Sequence, residues 1–263
     1  MAILNSVGDK GTNEKVDVKV IQSALNLVNS TKFKLNKRLT IDGRNGSNTV
    51  AAIEAFQKDV VKLSTPDGRI DAGGKTLKTL KKNIKVSLNQ DSLTAIMAMG
   101  TVPTVKIYLS LLTSALPKYK INTPLRVAHF LAQVGHESLS FVYTQELATG
   151  AAYEGRKDLG NIQKGDGVRF KGRGLMQLTG RDNYASYGKY INVDLLKAGN
   201  EKIIAISPKY ALDVSLWFWN NRNLNKYADT DNLKAITRRV NGGYNGLVDR
   251  GLYLDRAKFF LLP

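Results

Sequence analysis

Thr123-Pro124-Leu125-Arg126-Val127-Ala128-His129-Phe130-Leu131-Ala132-Gln133-Val134-Gly135-His136-Glu137-Ser138 opens with a helix-starting pair. Threonine offers its side-chain oxygen to orphan N–H groups of a first turn. Proline at the first helical position loses nothing, because its missing N–H has no intrahelical partner anyway. Leu125, Ala128, Leu131, Ala132 and Gly135 then run through the expected helix, which ends beside Glu137.

The same grammar recurs outward from this segment. Ser207-Pro208 opens another helix, carrying Trp217 and Trp219. Thr230 is expected to cap a helix ending at Asn241-Gly242-Gly243, where glycine suits a left-handed terminus. Thr179 with Asp182 fits a variant capping box. A last helix is expected over about residues 247–260. Alternation of strand type is scarce, so the fold class is mainly α.

Upstream, Val18, Ile21, Leu25 and Val28 fall at helical spacing, and a second helical stretch covers residues 47–61. A short third helix is expected near 75–82. Asp42-Gly43 and Asp67-Gly68 mark turns between them. This pattern, with Gly46, Thr49, Ala52 and Phe56-Gln57, resembles the three-helix peptidoglycan-binding domain found beside wall hydrolases. The expected organisation is a small three-helix wall-binding domain at 1–85 and a catalytic domain at 86–263, with 84–90 read as a linker.

Composition narrows the chemistry. The 263 residues are 43% apolar, ordinary for a globular protein. With no cysteine, disulfides, thiolate nucleophiles and thiolate metal sites are excluded. A net charge of +17 predicts attraction to polyanions, whether nucleic acid, anionic lipid or an acidic cell envelope, and does not choose among them. It is spread along the chain, with 16 Lys and Arg against 8 Asp and Glu in residues 1–85 and 23 against 14 in the remainder. No run of about 18 apolar residues could span a membrane, and the first residues do not read as a secretory signal. The expectation is a monomer held in a host cytoplasm and released to the wall by a separate membrane-permeabilising protein.

His136-Glu137 lacks the second histidine of a zinc protease helix, since position 140 is serine. His129 and His136 share a helix face and read as neutral core histidines. Gly172-Arg173-Gly174 lacks the third glycine of a dinucleotide loop, since position 177 is glutamine, and the Gly-Lys-Ser/Thr of a phosphate loop. No metal or cofactor is expected, and the absence of a nucleic-acid motif gives no reason to expect such a partner.

Two carboxylates remain. Glu137 closes a helix rich in Ala, Leu and Phe, and apolar surroundings would favour the protonated form that a general acid needs. Glu146 lies nine residues on in the polar stretch Tyr143-Thr144-Gln145-Glu146, where it could remain ionised and activate water. Such a pair suits cleavage of a glycosidic bond.

Residues 126–184 resemble glycoside hydrolase family 19, the chitinase-like fold, in its phage endolysin branch. The resemblance rests on Ala132-Gln133-Val134-Gly135-His136-Glu137-Ser138, on Glu146, and on Phe170-Lys171-Gly172-Arg173-Gly174-Leu175-Met176-Gln177-Leu178-Thr179-Gly180-Arg181. Further matches run from Ala235 to Gly246 and include Asp249-Arg250. It implies a bilobal, lysozyme-like helical domain in which Glu137 is the acid and Glu146 the base, with inversion at the anomeric carbon. Thr179 would position water. Gln177, Asn183 and Asn241, with Arg250, His136 and Tyr143, would line the sugar site, while Arg173, Arg239 and Arg250 could instead orient the acidic loops or hold the two lobes together. The implied substrate is the β-1,4 glycan of bacterial peptidoglycan. The alternatives are a lytic transglycosylase, a chitinase and, from another class, a non-catalytic basic binding protein.

Overall fold

A computed structural model describes all 263 residues. The chain is mainly helical. Its only strands, β1 (Val7–Gly8) and β2 (Arg69–Ile70), pair antiparallel with Val7 opposite Ile70. No helix is long and apolar enough to cross a membrane.

In the N-terminal section, α1 (Lys15–Asn26) buries Val18, Ile21 and Leu25, as their spacing predicts, while Val28 lies just beyond the helix. The second expected helix is α2 (Ser47–Phe56), continued by a π-helical turn over Gln57–Val61; α3 is Lys75–Asn83. Two buried glutamines organise the turns between them. Gln22 donates to the Asp42 carboxylate (3.0 Å) and accepts from the Gly43 N–H (3.0 Å). Gln57 donates to Asp67 (2.6 Å) and accepts from the N–H groups of Asp67 and Gly68 (both 3.0 Å). Gly43 and Gly68 have φ of +78° and +65°, the left-handed region a Cβ disfavours. Each Asp-Gly pair thus makes a turn that one glutamine amide satisfies on both sides.

Residues 84–90 do not form a free tether. Ile84 bridges to Val28, the Ser87 N–H donates to Phe260 O (3.1 Å), and Asn89 forms a full capping box with Ser92 on α4 (Gln90–Ile96). Lys19 Nζ reaches Ala98 O (2.6 Å), and Arg38 pairs with Asp91. One apolar core of 48 residues runs continuously from Ala2 to Leu261. The segment is pinned because its own apolar and capping groups find partners on both sides.

The remaining helices are α5 (Val102–Ala115), α6 (Pro124–Glu137), α7 (Asp166–Arg169), α8 (Arg181–Ile191), α9 (Ile203–Ile206), α10 (Pro208–Asn221), α11 (Asn225–Ala228), α12 (Leu233–Asn241) and α13 (Leu247–Leu261). Thr123 caps α6 as expected, accepting from the Arg126 N–H (3.2 Å). α6 lies directly against α13. A methyl group added to Gly135 would sit 2.4 Å from the Tyr253 ring, so the two helices can meet this closely only at glycine. A smaller cluster around Phe170, Leu178, Tyr184, Tyr187 and Ile204 forms a second lobe.

Two expected caps are replaced. α8 starts after Gly180 (φ +93°), and the Thr179 hydroxyl donates instead to Gln177 O (2.9 Å), because the chain enters α8 from a tight loop. α12 is capped by Asn232, which accepts from the Ala235 N–H (2.9 Å), while Thr230 bonds back to Tyr227 O. Gly242 ends α12 at φ +81°, as expected.

Candidate active site

Glu137 stands on the last turn of α6, on the face of the large core. Its Oε1 accepts a hydrogen bond from Arg250 Nη2. Arg250 is completely buried on α13, and its Nη1 donates to Gln133 Oε1 at 2.5 Å. The expectation of apolar desolvation for Glu137 is therefore corrected. The apolar face of α6 turns toward α13, and the carboxylate at its end meets a guanidinium. Arg250, expected among the sugar contacts, has no exposed side-chain surface. It positions Glu137 instead.

The chain then reverses through three consecutive non-glycine residues in the left-handed region: Leu139, Ser140 and Phe141, with φ of 47°, 62° and 69°. Each such residue costs on the order of 1 kcal/mol or more, so the surroundings must impose the turn. Ser138 Oγ accepts from the Phe141 N–H (2.9 Å), and Ser140 Oγ shares a bond with the Tyr253 hydroxyl (2.8 Å). Phe141 stacks on Tyr108 with centroids 4.4 Å apart. This reversal carries residues 144–146 across to the second lobe. There the Glu146 N–H donates to Gly172 O (2.9 Å), and the Gly174 N–H to Thr144 O (2.8 Å). Arg173 also pairs with Leu178 through two backbone bonds of 3.1 and 2.7 Å.

Glu146 is held by neutral donors. Oε1 accepts from the Tyr153 hydroxyl (3.0 Å), and Oε2 from the Gly172 N–H (3.1 Å). Burial, with the adjacent Glu146 carboxylate, pushes the Tyr153 phenol above its ordinary pKa, so it stays a donor. A Cβ on Gly172 would lie 2.6 Å from Gln177 Oε1 and 3.3 Å from Glu146 Oε2. Gly172 therefore lets both polar side chains close over the loop. Gln177, at φ +55°, donates to Gly174 O (2.9 Å), and Asn183 Nδ2 to Thr179 O (2.7 Å). Gln177, Thr179 and Asn183 thus gather on the Glu146 side. Arg173, buried, braces this loop through Gln145, Arg169 O and the Tyr184 hydroxyl.

His136 is not a core residue. It is partly exposed beside Glu137 and shares a 2.6 Å bond with Asp249, whose carboxyl is held below its usual range chiefly by that bond. His129 is the buried one. Burial lowers its pKa, and its Nε2 meets Asp231 at 2.8 Å. Tyr143 is exposed, and its side chain makes no hydrogen bond. Asn241 ends α12 on the wall of a cavity of about 1100 Å³, between that helix and residues 156–159. Gln133 and Asp249 stood in the quoted motifs, but nothing local marked them as partners of Arg250 and His136. Tyr153 alone had a signal, since it follows Glu146 closely in a polar segment.

The comparisons agree with this architecture. The family profile described as Chitinase class I, of glycoside hydrolase family 19, matches residues 125–237. That span holds both carboxylates and the Gln177 loop but not Asn241 or Arg250. A glycosyl hydrolase family 19 domain-containing protein of Haemophilus influenzae is 29% identical over 48% of this chain and 75% of its own length. An endochitinase of Arabidopsis thaliana is 38% identical over 44% of this chain but only 39% of its own length. Chitinase C of Streptomyces griseus superposes with a TM-score of 0.53 at 21% identity, covering 74% of this chain and 81% of the other, which speaks for the fold. A class IV family 19 chitinase of Zea mays gives 0.51 at 22%, over 66% and 92%. Residues 125–237 are thus similar to the catalytic domain of glycoside hydrolase family 19, the fold is chitinase-like, and the enzyme class is glycoside hydrolase.

Proposed function

We propose that the protein hydrolyses the β-1,4 glycan strands of bacterial peptidoglycan as an endolysin, with Glu137 as general acid and Glu146 as general base. What supports the roles is the family resemblance of the segments that hold Glu137 and Glu146, together with the separate fixing of each carboxylate on its own lobe. Glu137 has Oε1 fixed by a buried guanidinium and Oε2 without a hydrogen-bond partner. Oε2 can pass a proton to the leaving oxygen, and Arg250 stabilises the carboxylate that remains. Glu146 sits on the opposite lobe, its two oxygens oriented by Tyr153 and Gly172. It takes a proton from water as that water attacks the anomeric carbon, and the stereochemistry inverts. Thr179, Gln177 and Asn183, gathered on that side, are the groups to orient the water and the sugar.

Support for a wall substrate comes from the +17 charge, suited to an anionic envelope, and from the N-terminal section. A recess of about 690 Å³ there is lined by Lys34, Lys37, Arg44 and Asp42 among others, and we assign wall binding to it. In this reading the enzyme acts as a monomer and reaches the wall through a separate membrane-permeabilising protein. Chitin is the second reading, favoured by the endochitinase names of several relatives.

Digestion of purified peptidoglycan and of N-acetylglucosamine oligomers separates the two. Mass analysis of the wall products should show reducing ends. Anhydro sugars would indicate transglycosylation instead, and release from chitin alone would overturn the peptidoglycan assignment. Proton NMR of the first product should show the α anomer, and an initial β anomer would remove Glu146 from the role of base.

A further inference from the structure

The cavity beside Asn241 is walled by five cations and one carboxylate. Arg156 pairs with that carboxylate, Asp158. Arg222, Lys234, Arg238 and Arg239 have no carboxylate within salt-bridge distance, and all four are exposed. Three are held over aromatic rings: Arg222 over Phe218 (4.4 Å), Arg239 over Tyr227 (4.5 Å) and Lys234 over Tyr244 (5.1 Å). Arg222 Nη1 also donates to Arg239 O (3.3 Å), which brings two guanidinium-bearing residues together with no anion between them.

A helix C-terminus attracts cations, and this accounts for Arg238 and Arg239 on the last turn of α12. It does not account for Lys234, which stands on the first turn, where the helix dipole repels it. Nor does it account for Arg222 arriving from the end of α10. Four like charges on one concave wall repel each other, and a bound anion relieves that repulsion. A neutral β-1,4 N-acetylglucosamine polymer has no charge to offer them. A peptidoglycan strand has one at regular intervals, because its alternate sugars bear short peptides ending in carboxylates.

Resting on the peptidoglycan reading above, we propose that Arg222, Lys234, Arg238 and Arg239 form a specificity wall that binds the carboxylates of the stem peptides. The wall makes peptide-bearing glycan a better ligand than the same glycan without peptides. Lys234 and Arg238 are the two to test, since they are exposed and Arg238 has no packing partner among the aromatic rings.

The test uses the full chain carrying Glu137→Gln, so that ligands are not turned over. Titration calorimetry at low salt compares three ligands of equal sugar length: glycan with stem peptides, the same glycan stripped by an amidase with its freed lactyl carboxylates then converted to amides, and the N-acetylglucosamine oligomer. The peptide-bearing glycan should bind about tenfold more tightly than the stripped one, as two or more exposed ion pairs allow. Adding Lys234→Gln with Arg238→Gln should collapse that ratio toward one. Lys106→Gln with Lys202→Gln removes the same net charge elsewhere and should keep it. A ratio that survives in the Lys234 and Arg238 variant overturns the proposal, as does an equal loss of affinity for all three ligands. If the unmutated active site cleaves the N-acetylglucosamine oligomer but neither binds nor cleaves either wall glycan, it is the peptidoglycan reading itself that fails.

Discussion

Replacing Glu137 by glutamine and by alanine should give two outcomes that differ in stability and agree in activity. Arg250 has no exposed side-chain surface, and Glu137 is the one carboxylate hydrogen-bonded to it. Stranding a buried charge costs about 3–5 kcal/mol. Two features here reduce that figure. Glu137 is 18% exposed, so water can follow into the space left by alanine, and the Asp249 charge acts on the same region. The expected cost of Glu137→Ala is therefore about 2–3 kcal/mol, or roughly 5–10 °C in Tm for a chain of this size. Glutamine keeps an oxygen for Arg250 Nη2 and loses only the charge assistance, about 1 kcal/mol or roughly 2–4 °C. Neither side chain can donate a carboxyl proton, so both variants should lose about 10²–10⁴-fold in rate. Thermal unfolding by circular dichroism and initial rates on a soluble oligosaccharide read the two effects separately. Equal Tm losses would refute the Glu137–Arg250 coupling. A folded Glu137→Gln enzyme with a tenth or more of the parent rate would refute the acid.

Gly135→Ala gains about 1 kcal/mol of helix propensity but places its methyl 2.4 Å from a Tyr253 ring that is buried and tied to Ser140; overpacking of about 1–3 kcal/mol should win, lowering the urea midpoint. A midpoint at or above that of the parent would show that α13 can move away. Gly172→Ala pushes Gln177 Oε1 and Glu146 Oε2 apart and should cost about 10–100-fold in kcat with a much smaller effect on Tm; unchanged kcat would detach this loop from catalysis. Burial lowers the pKa of His129, so the unfolded chain binds its proton first, at about pH 6.5. That contribution to stability is complete above about pH 7 and is lost as pH falls through 6.5 toward the folded value. His129→Gln should flatten the Tm profile between about pH 7.5 and 5.5, well above the range where Asp231 and Asp249, both held low, take up protons. An unaltered profile would contradict the assignment.

Local chemistry alone determined a good deal of this protein. The Thr123-Pro124 cap, the 3.6-residue apolar spacing of α1 and the glycine after Asn241 each act within a few residues, so the helices they define were legible without the fold. The Asp-Gly turns were legible for the same reason, since only glycine takes their backbone cheaply. The two glutamates could be picked out as a spaced pair in a motif. Most of what surrounds them could not, because all their partners but Tyr153 are remote in sequence: Arg250 lies 113 residues from Glu137, and Gly172 lies 26 from Glu146. Glu137 thus meets a guanidinium where its helix neighbours suggested an apolar wall, and the two histidines of one helix face take opposite environments. Thr179 and Thr230 had capping chemistry but lost the role to the residues that loop geometry put there. The left-handed run at 139–141 has no glycine to announce it. It exists because Tyr108, Tyr253 and Ser138 over-determine it, and only tertiary packing can hold a backbone where local preference would not leave it.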